Sequence, residues 1–396
     1  MADFNLIFDK EFKILKKVMK INKTCPYQQR NLFWKIQVSY ICITNLYILY
    51  CLISSVIFYD FPANEIIEGA RNMMMVIIFM STLMKYCILI YWRSFLVHLF
   101  EIVQNDYEEA KQFNINDKTI ILEYVQRGKN ICKIWLVIAT GASFLFPLKA
   151  IFLMAYYYYN GDFRLVLSYD MHYPDPIDTH KYELKVYIPL SCLLIPLNCL
   201  AASVYIVFDP LVPIFLLHMC GQLDLLSRRI MGVFSLHDDA EIQKNLRYIN
   251  VKLQSLYSFA ENFQSNVISM QYEFNLKTNI FIIPCAAFQI GQSLAKREFN
   301  VEFIFFFVGA ILHFYIPCYY SDMLMEKSGK MREAIYSSGW EHNANMKIRK
   351  TILFMLTRTA KPLSICTVFH PICLDTFAEM SRQSYTIYNI MIAAWN

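Results

Sequence analysis

Seven stretches of this 396-residue chain are long and apolar enough to cross a bilayer, and their recurrence constrains the fold more than any other feature. A spanning helix needs roughly 20 mostly apolar residues to bridge roughly 30 Å of hydrocarbon. Residues 36–58, 72–92, 131–158, 185–208, 274–294, 301–321 and 366–394 all qualify. The predicted fold class is an all-α membrane protein with seven transmembrane helices and polar helical extensions. Composition excludes a large soluble helical protein. Hydrophobic residues make up 56% of the chain and charged residues only 17%, against about 25% charged in soluble domains; the mean hydropathy is +0.32.

Lysine and arginine placement sets the expected orientation, because cytoplasmic loops carry the excess of both. The leader to Lys35, the 93–133 connection, the 211–277 connection and the 322–361 connection together hold twenty-eight, against six in the opposite connections. This predicts a cytoplasmic N-terminus and, with seven spans, an extracellular C-terminus. The net charge of +5 then reflects topology, and no nucleic-acid partner follows from it. The leader is basic and lacks a small-residue cleavage site, so no removable signal peptide is expected and the first span serves as the insertion signal. Most of the twelve cysteines, Cys42, Cys51, Cys87 and Cys192 among them, sit in apolar runs. There a thiol acts as a small hydrophobe, and no disulfide framework is expected. The sequon Asn22-Lys23-Thr24 falls in the leader and should stay unmodified.

Taken in order, residues 1–35 form a cytoplasmic amphipathic leader, with Phe4, Phe8, Phe12, Leu15 and Val18 set among lysines, suited to a membrane surface. Residues 36–343 hold spans one to six with their cytoplasmic extensions, a polar helix over Glu101–Lys129 and a helical pair over Asp238–Met270. Residues 344–396 hold an amphipathic helix and the last span. Pro189 and Pro196 predict a kink in the fourth span. The 160–183 connection, with Tyr173-Pro174-Asp175-Pro176, reads as ordered turns able to cover the outer bundle.

No Gly-rich phosphate loop, G-x-S-x-G or H-E-x-x-H occurs, and the eight histidines are scattered. Neither an enzyme nor a cofactor or metal site is expected. Charges inside spans say more, since they are expensive in hydrocarbon and mark cavities or partners. Lys85, near the inner end of its span, is expected to snorkel to the interface. Lys149, nearer mid-span, points to a polar cavity within the bundle. Glu379 and Arg382 share a face of the last span, spaced to pair or to border a pore.

The stretches Ala334–Trp340 (AIYSSGW), 348–363 (IRKTILFMLTRTAKPL) and 374–391 (LDTFAEMSRQSYTIYNIM) resemble the C-terminal signature of insect odorant receptors. HMCGQLDLLSRRI after the fourth span and YSFAENFQSNVISMQYEF (257–274) strengthen the resemblance, which covers the second half of the chain. The related gustatory receptors close on a Gln-Phe that this chain lacks. The resemblance implies a ligand-gated, non-selective cation channel in the plasma membrane of olfactory sensory neuron dendrites. In it a tuning subunit and the co-receptor Orco form a heterotetramer around one pore, joined by a cytoplasmic anchor domain. The co-receptor's long cytoplasmic insertion is absent, so this chain reads as a tuning subunit that binds a small volatile odorant.

By position, the resemblance puts the aliphatic gate at Ile390, with Ala393 and Ala394 at the outer mouth of the pore. It puts the odorant pocket in the outer half, among spans two, three, four and six. Depth and helical spacing there select Met75, Phe79 and Thr82; Phe144, Leu148 and Ile151; Tyr187, Ser191 and Ile195; and Phe303 and Phe307. A G-protein-coupled receptor would have its N-terminus outside and carry Asp-Arg-Tyr or Asn-Pro-x-x-Tyr after spans three or seven. A transporter would show two related halves. Neither pattern is present in the sequence.

Overall fold

A computed structural model describes residues 6–63, 65–169, 171–236, 238–264, 266–295 and 300–395, with the side chains at 266, 267, 394 and 395 left aside. The helices are α1 (Phe8–Glu11), α2 (Lys13–Ile21), α3 (Leu32–Ser54, prolonged by a π-helical segment, Ser55–Asp60), α4 (Ile66–Tyr91), α5 (Arg93–Ala110), α6 (Ile115–Tyr159) and α7 (Ile177–His180). They continue with α8 (Leu184–Val233), α9 (Asp239–Phe263), α10 (Asn266–Ala295), α11 (Val301–Tyr336), α12 (Met346–Arg358) and α13 (Leu374–Trp395). All seven expected spans fall on helices. Five helical stretches, Leu32–Asp60, Ile66–Tyr91, Ile115–Tyr159, Leu184–Val233 and Val301–His342, are long and apolar enough to cross a membrane. Helices α10 and α13 carry more polar side chains, Asn275, Lys277, Asn279, Glu379, Arg382 and Asn389 among them, and fall outside that set.

Length explains the extensions. At 1.5 Å per residue, the 45 residues of α6 and the 50 of α8 run about 68 and 75 Å, more than twice the hydrocarbon thickness. Their surplus lies at one end of the bundle, the basic end, where α5, α9 and α12 join them. Helix α9 buries Ile242, Leu246, Ile249, Leu253, Leu256 and Phe259, a three-four spacing that presents one apolar stripe to the core. Helix α8 continues through Pro189, Pro196, Pro210 and Pro213 and is buried from Ala201 to Leu223 on every side, the spine of the molecule.

Three local features depart from the expectations. The polar stretch from Glu101 to Lys129 is two helices, because α5 ends at Ala110 and Asn114 caps α6 by accepting from the Asp117 N–H at 2.8 Å. The leader buries Phe8, Phe12, Leu15 and Met19 in the core of its own chain, so its apolar face is spent on protein. The last span begins at Leu374, eight residues later than 366. Pro371 lacks the N–H a helix interior needs, and residues 366–373 instead turn back on themselves through a single antiparallel bridge between Cys366 and Pro371.

The basic end is locked by charge. The Asp106 carboxylate on α5 accepts from Lys252 Nζ at 2.8 Å and meets His218 Nε2 at 3.0 Å, while Lys252 also pairs with Glu109. Burial alone would raise the Asp106 pKa, but His218 and then Lys252 override it and hold it below the usual carboxylate range. A carboxylate so depressed contributes stability that is complete above its unfolded value of about 3.9 and is lost as pH falls through the folded value. Asp106→Asn is therefore expected to lower stability by about 2 kcal/mol at neutral pH. The gap to wild type should close below pH about 4, as read by thermal unfolding of the purified protein at several pH values. A gap that stays constant into acid would show that the charge is not what holds α5 to α9.

Candidate functional site

A cavity of about 110 Å³ lies midway along the bundle, between α4, α6, α8, α10 and α11. Its wall is mainly apolar and aromatic: Met75 and Phe79 from α4, Trp135 and Ala139 from α6, Ala202 from α8, and Phe305 and Phe306 from α11. Its polar points are few: Ser143, Asn198, Asn279, His313 and two tyrosines, Tyr169 and Tyr205. Space of this size and lining suits one small uncharged molecule held by desolvation, with the polar atoms setting its orientation.

The 160–183 connection closes one side. Tyr169, Met171 and Tyr173 are buried. The Tyr169 hydroxyl donates to Asn198 Oδ1 on α8, and its ring meets Phe146 at 5.2 Å and Phe79 at 6.2 Å. Further along, the His172 N–H donates to Ser55 Oγ at 3.0 Å, and its ring stacks on Tyr59 at 4.5 Å. The connection is thus fastened to the bundle, and Tyr169 is part of the cavity wall. A second, polar chamber of about 300 Å³ lies on the far side of Tyr169, lined by Arg71, Lys149, Gln289, Ser293, Asn300 and Glu302 among others. Here Lys149 pairs with Glu302 and donates to Asn300 Oδ1 at 2.6 Å, placing it at the polar cavity its position suggested.

Beneath the cavity sits a buried ionic cluster. Lys85 is fully buried and does not snorkel: its Nζ donates to Asp209 Oδ1 at 2.7 Å and to His313 Nε2 at 2.8 Å, and lies 3.8 Å from the centre of the Tyr205 ring. The reason is partnership. An ammonium can remain deep in a bundle only beside a carboxylate with its remaining donors satisfied, and α8 and α11 supply both groups. On the other side of the ring, His313 Nδ1 lies 3.2 Å from Asn279 Nδ2. The cluster ties α4, α8 and α11 together directly below the cavity.

The structure sorts the residues selected by spacing. Met75 and Phe79 line the cavity. Thr82 is buried one turn further on, its hydroxyl donating back to the Ile78 carbonyl at 2.8 Å. Phe144, Leu148 and Ile151 are 51%, 43% and 56% exposed and point out of the bundle; the cavity-facing side of α6 is the one carrying Trp135, Ala139 and Ser143. On α8, Tyr187 donates to the Val166 carbonyl at 3.0 Å, Ser191 is half-buried and Ile195 is largely exposed, while Asn198, Ala202 and Tyr205 reach the cavity. Phe303 and Phe307 pack with Ala70, Met74 and Ala286 instead, two positions out of phase with the cavity-lining Phe305 and Gly309.

Helix α13 packs one face, with Met380 and Ser384 buried, against α10 and α11. Its opposite face leaves Asp375, Glu379, Arg382, Gln383, Asn389, Ile390 and Ala393 exposed, with Glu379 and Arg382 paired at 3.4 Å. Ala394 lies in the helix, but its side chain is outside the described residues. A charged side chain facing hydrocarbon costs about 2.5–3.5 kcal/mol at the bilayer centre on insertion scales. Five polar or charged residues on one face therefore need water or another subunit beside them.

The chain is a many-helix protein of the membrane-spanning type, with a small, mostly apolar cavity among its helices and one polar helix face. Residues 65–385 match the family described as 7tm Odorant receptor, and the chain belongs to the insect odorant receptor family. Odorant receptor 13a of Drosophila melanogaster is 27% identical over 197 residues, 45% of this chain and 44% of that protein. Odorant receptor 85f of the same species is 23% identical over 266 residues, 65% of this chain and 64% of that protein. The alignments thus span less than two thirds of either relative. The fold is similar to that of the insect olfactory receptor OR5 from Machilis hrabei, with a TM-score of 0.76 at 16% identity over 96% of this chain and 97% of that one. The same receptor in complex with eugenol matches with a TM-score of 0.76 at 15% identity, over 98% and 100% of the two chains.

Proposed function

We propose that this chain is the odorant-binding subunit of a ligand-gated, non-selective cation channel, assembled with the co-receptor Orco as a heterotetramer. It would sit in the plasma membrane of olfactory sensory neuron dendrites with its N-terminus in the cytoplasm. The observation that carries the ligand half of this reading is the apolar, aromatic cavity that Met75 and Phe79 line. Burying roughly 250 Å² of a volatile's apolar surface there gives about 6 kcal/mol of gross stabilisation. That is enough for binding once part is lost to immobilising the ligand. The polar chamber beyond Tyr169 offers a route in from the loop end, with the Tyr169 ring as the partition.

The channel half is supported by the exposed polar face of α13, whose desolvation demands water or a neighbour. Ile390, Ala393 and Ala394 fall near the end of that helix, where an aliphatic ring contributed by several subunits would close a pore by dewetting. For ligand to open it, the cavity must fit differently in the closed and open states, since equal affinity for both moves nothing. Helix α10 lies between the two features, with Asn279 and Ile282 at the cavity and its other side against α13.

The reading is tested by whole-cell recording from cells co-expressing this chain with the co-receptor, against a broad panel of volatiles. Odorant-evoked cation current that requires both subunits is expected. Silence across the panel with surface expression confirmed would refute it. Ile390→Ala is expected to raise the ligand-free current several-fold, because the shorter side chain leaves a wider, wetter constriction. Resting and evoked currents equal to wild type would remove Ile390 from the gate.

A further inference from the structure

The cavity wall carries buried hydrogen-bond donors that have no partner among the described residues. The Trp135 indole N–H and Asn198 Nδ2 belong to buried, cavity-lining side chains and have no partner among the described residues. The Asn198 amide oxygen already accepts from Tyr169, so what that amide has left is a donor. Asn279 differs. There Nδ2 lies 3.2 Å from His313 Nδ1, so that amide donor already faces a partner and adds nothing to the unspent set. The Ser143 hydroxyl, also unpartnered, can donate or accept. On the acceptor side, Pro147 and Pro317 have no N–H to give, so the backbone carbonyls of the cavity-lining Ser143 and His313 lack their usual helical donor. The unpartnered carboxylate oxygen, Asp209 Oδ2, belongs to a residue outside the cavity wall. A cationic ligand would meet no carboxylate in the wall and would have the Lys85 ammonium beneath it.

We propose that the cavity selects uncharged ligands bearing a carbonyl-type oxygen, with the Trp135 and Asn198 donors as its recognition points and the aromatic wall taking the hydrocarbon part. Buried donors without partners are costly to leave unmade, and a site built around them discriminates against a shape-matched ligand lacking the acceptor. This rests on the cavity being the ligand site, the first half of the function proposed above.

The test compares ketones with their methylidene isosteres, in which C=O becomes C=CH₂ at nearly constant shape; acetophenone and α-methylstyrene form the first pair, and straight-chain pairs follow. Binding is measured by competition with tritiated acetophenone on membranes from cells expressing this chain with the co-receptor. The ketone is expected to bind about tenfold more tightly than its isostere. Trp135→Phe, which keeps the ring and deletes the N–H, is expected to narrow that ratio about fivefold. Asn198→Ala serves as a second variant, with surface amount checked by biotinylation for both. Equal affinity for ketone and isostere across the pairs, no binding of either, or a ratio untouched by both substitutions would each overturn the proposal. Recording current from the same cells separates the two ideas: a ketone preference in binding without evoked current sinks the channel reading and leaves this inference standing.

Discussion

Lys85→Met is expected to destabilise the protein by about 3–5 kcal/mol, the cost of leaving a buried charge uncompensated when its partner is removed. Asp209 is that charge: it is buried, its Oδ1 accepts from Lys85 at 2.7 Å, and its other oxygen has no partner among the described residues. His313 Nε2, 3.5 Å from the same oxygen, loses its Lys85 donor in this variant and can offset part of the cost only by taking up a proton itself. Thermal unfolding of the detergent-solubilised protein should show a loss of more than about 5 °C, with reduced surface expression in cells. The double variant Lys85→Met/Asp209→Leu removes both charges together. It should recover most of the loss, because an apolar pair of similar volume often replaces a buried ion pair without penalty. A single variant as stable as wild type would mean that Lys85 is solvated and that the cluster does not bind α4 to α8.

The second large effect falls on ligand sensitivity and leaves stability intact. Gly141 faces α11 so closely that an added Cβ would lie 2.6 Å from Phe305 Cε1. Phe305 lines the cavity, and the open space beside its ring is the cavity itself. Gly141→Ala should therefore push the ring inward and occupy volume a ligand needs, reducing potency by more than about tenfold, a barrier of roughly 1.4 kcal/mol. The helix should not suffer, since alanine is favoured over glycine in a helix interior by about 1 kcal/mol. Phe305→Leu in the same chain should restore part of the potency by giving the space back. Dose–response curves for the single and double variants check this. A potency unchanged by Gly141→Ala would indicate that the ring swings away from the cavity, and that the cavity is not bounded as described.

The positions of the helices were legible because length and hydropathy alone specify a spanning segment: six of the seven apolar runs are helical along nearly their whole length and the seventh from Leu374 on. Their rotation was not. In a membrane helix the outward face is as apolar as the core face, so periodicity carries no phase. That is why Phe144, Leu148 and Ile151 could be chosen on α6 while the cavity is lined by Trp135, Ala139 and Ser143, and why Phe303 and Phe307 stand out of phase with Phe305 and Gly309. Charge is the one signal that survives, and it was read too locally. Lys85, Asp209 and His313 are separated from one another by more than a hundred residues along the chain, so no local spacing points from one to the next. The Glu379–Arg382 pair, three residues apart on one helix, needed no such assembly and could be read from spacing. Pro371 in the last apolar run likewise carried the later start of α13.

In the proposed function the ligand occupies the cavity bounded by α4, α6, α8, α10 and α11, and the polar face of α13 borders the ion path. Electron cryo-microscopy of this chain assembled with the co-receptor and an activating odorant tests both parts at once. The account predicts ligand density between Phe79, Trp135, Tyr169 and Phe306, and the α13 face carrying Glu379, Gln383, Asn389 and Ile390 turned toward the central axis. Ligand density outside that cavity, or the same α13 face turned to lipid, would contradict it.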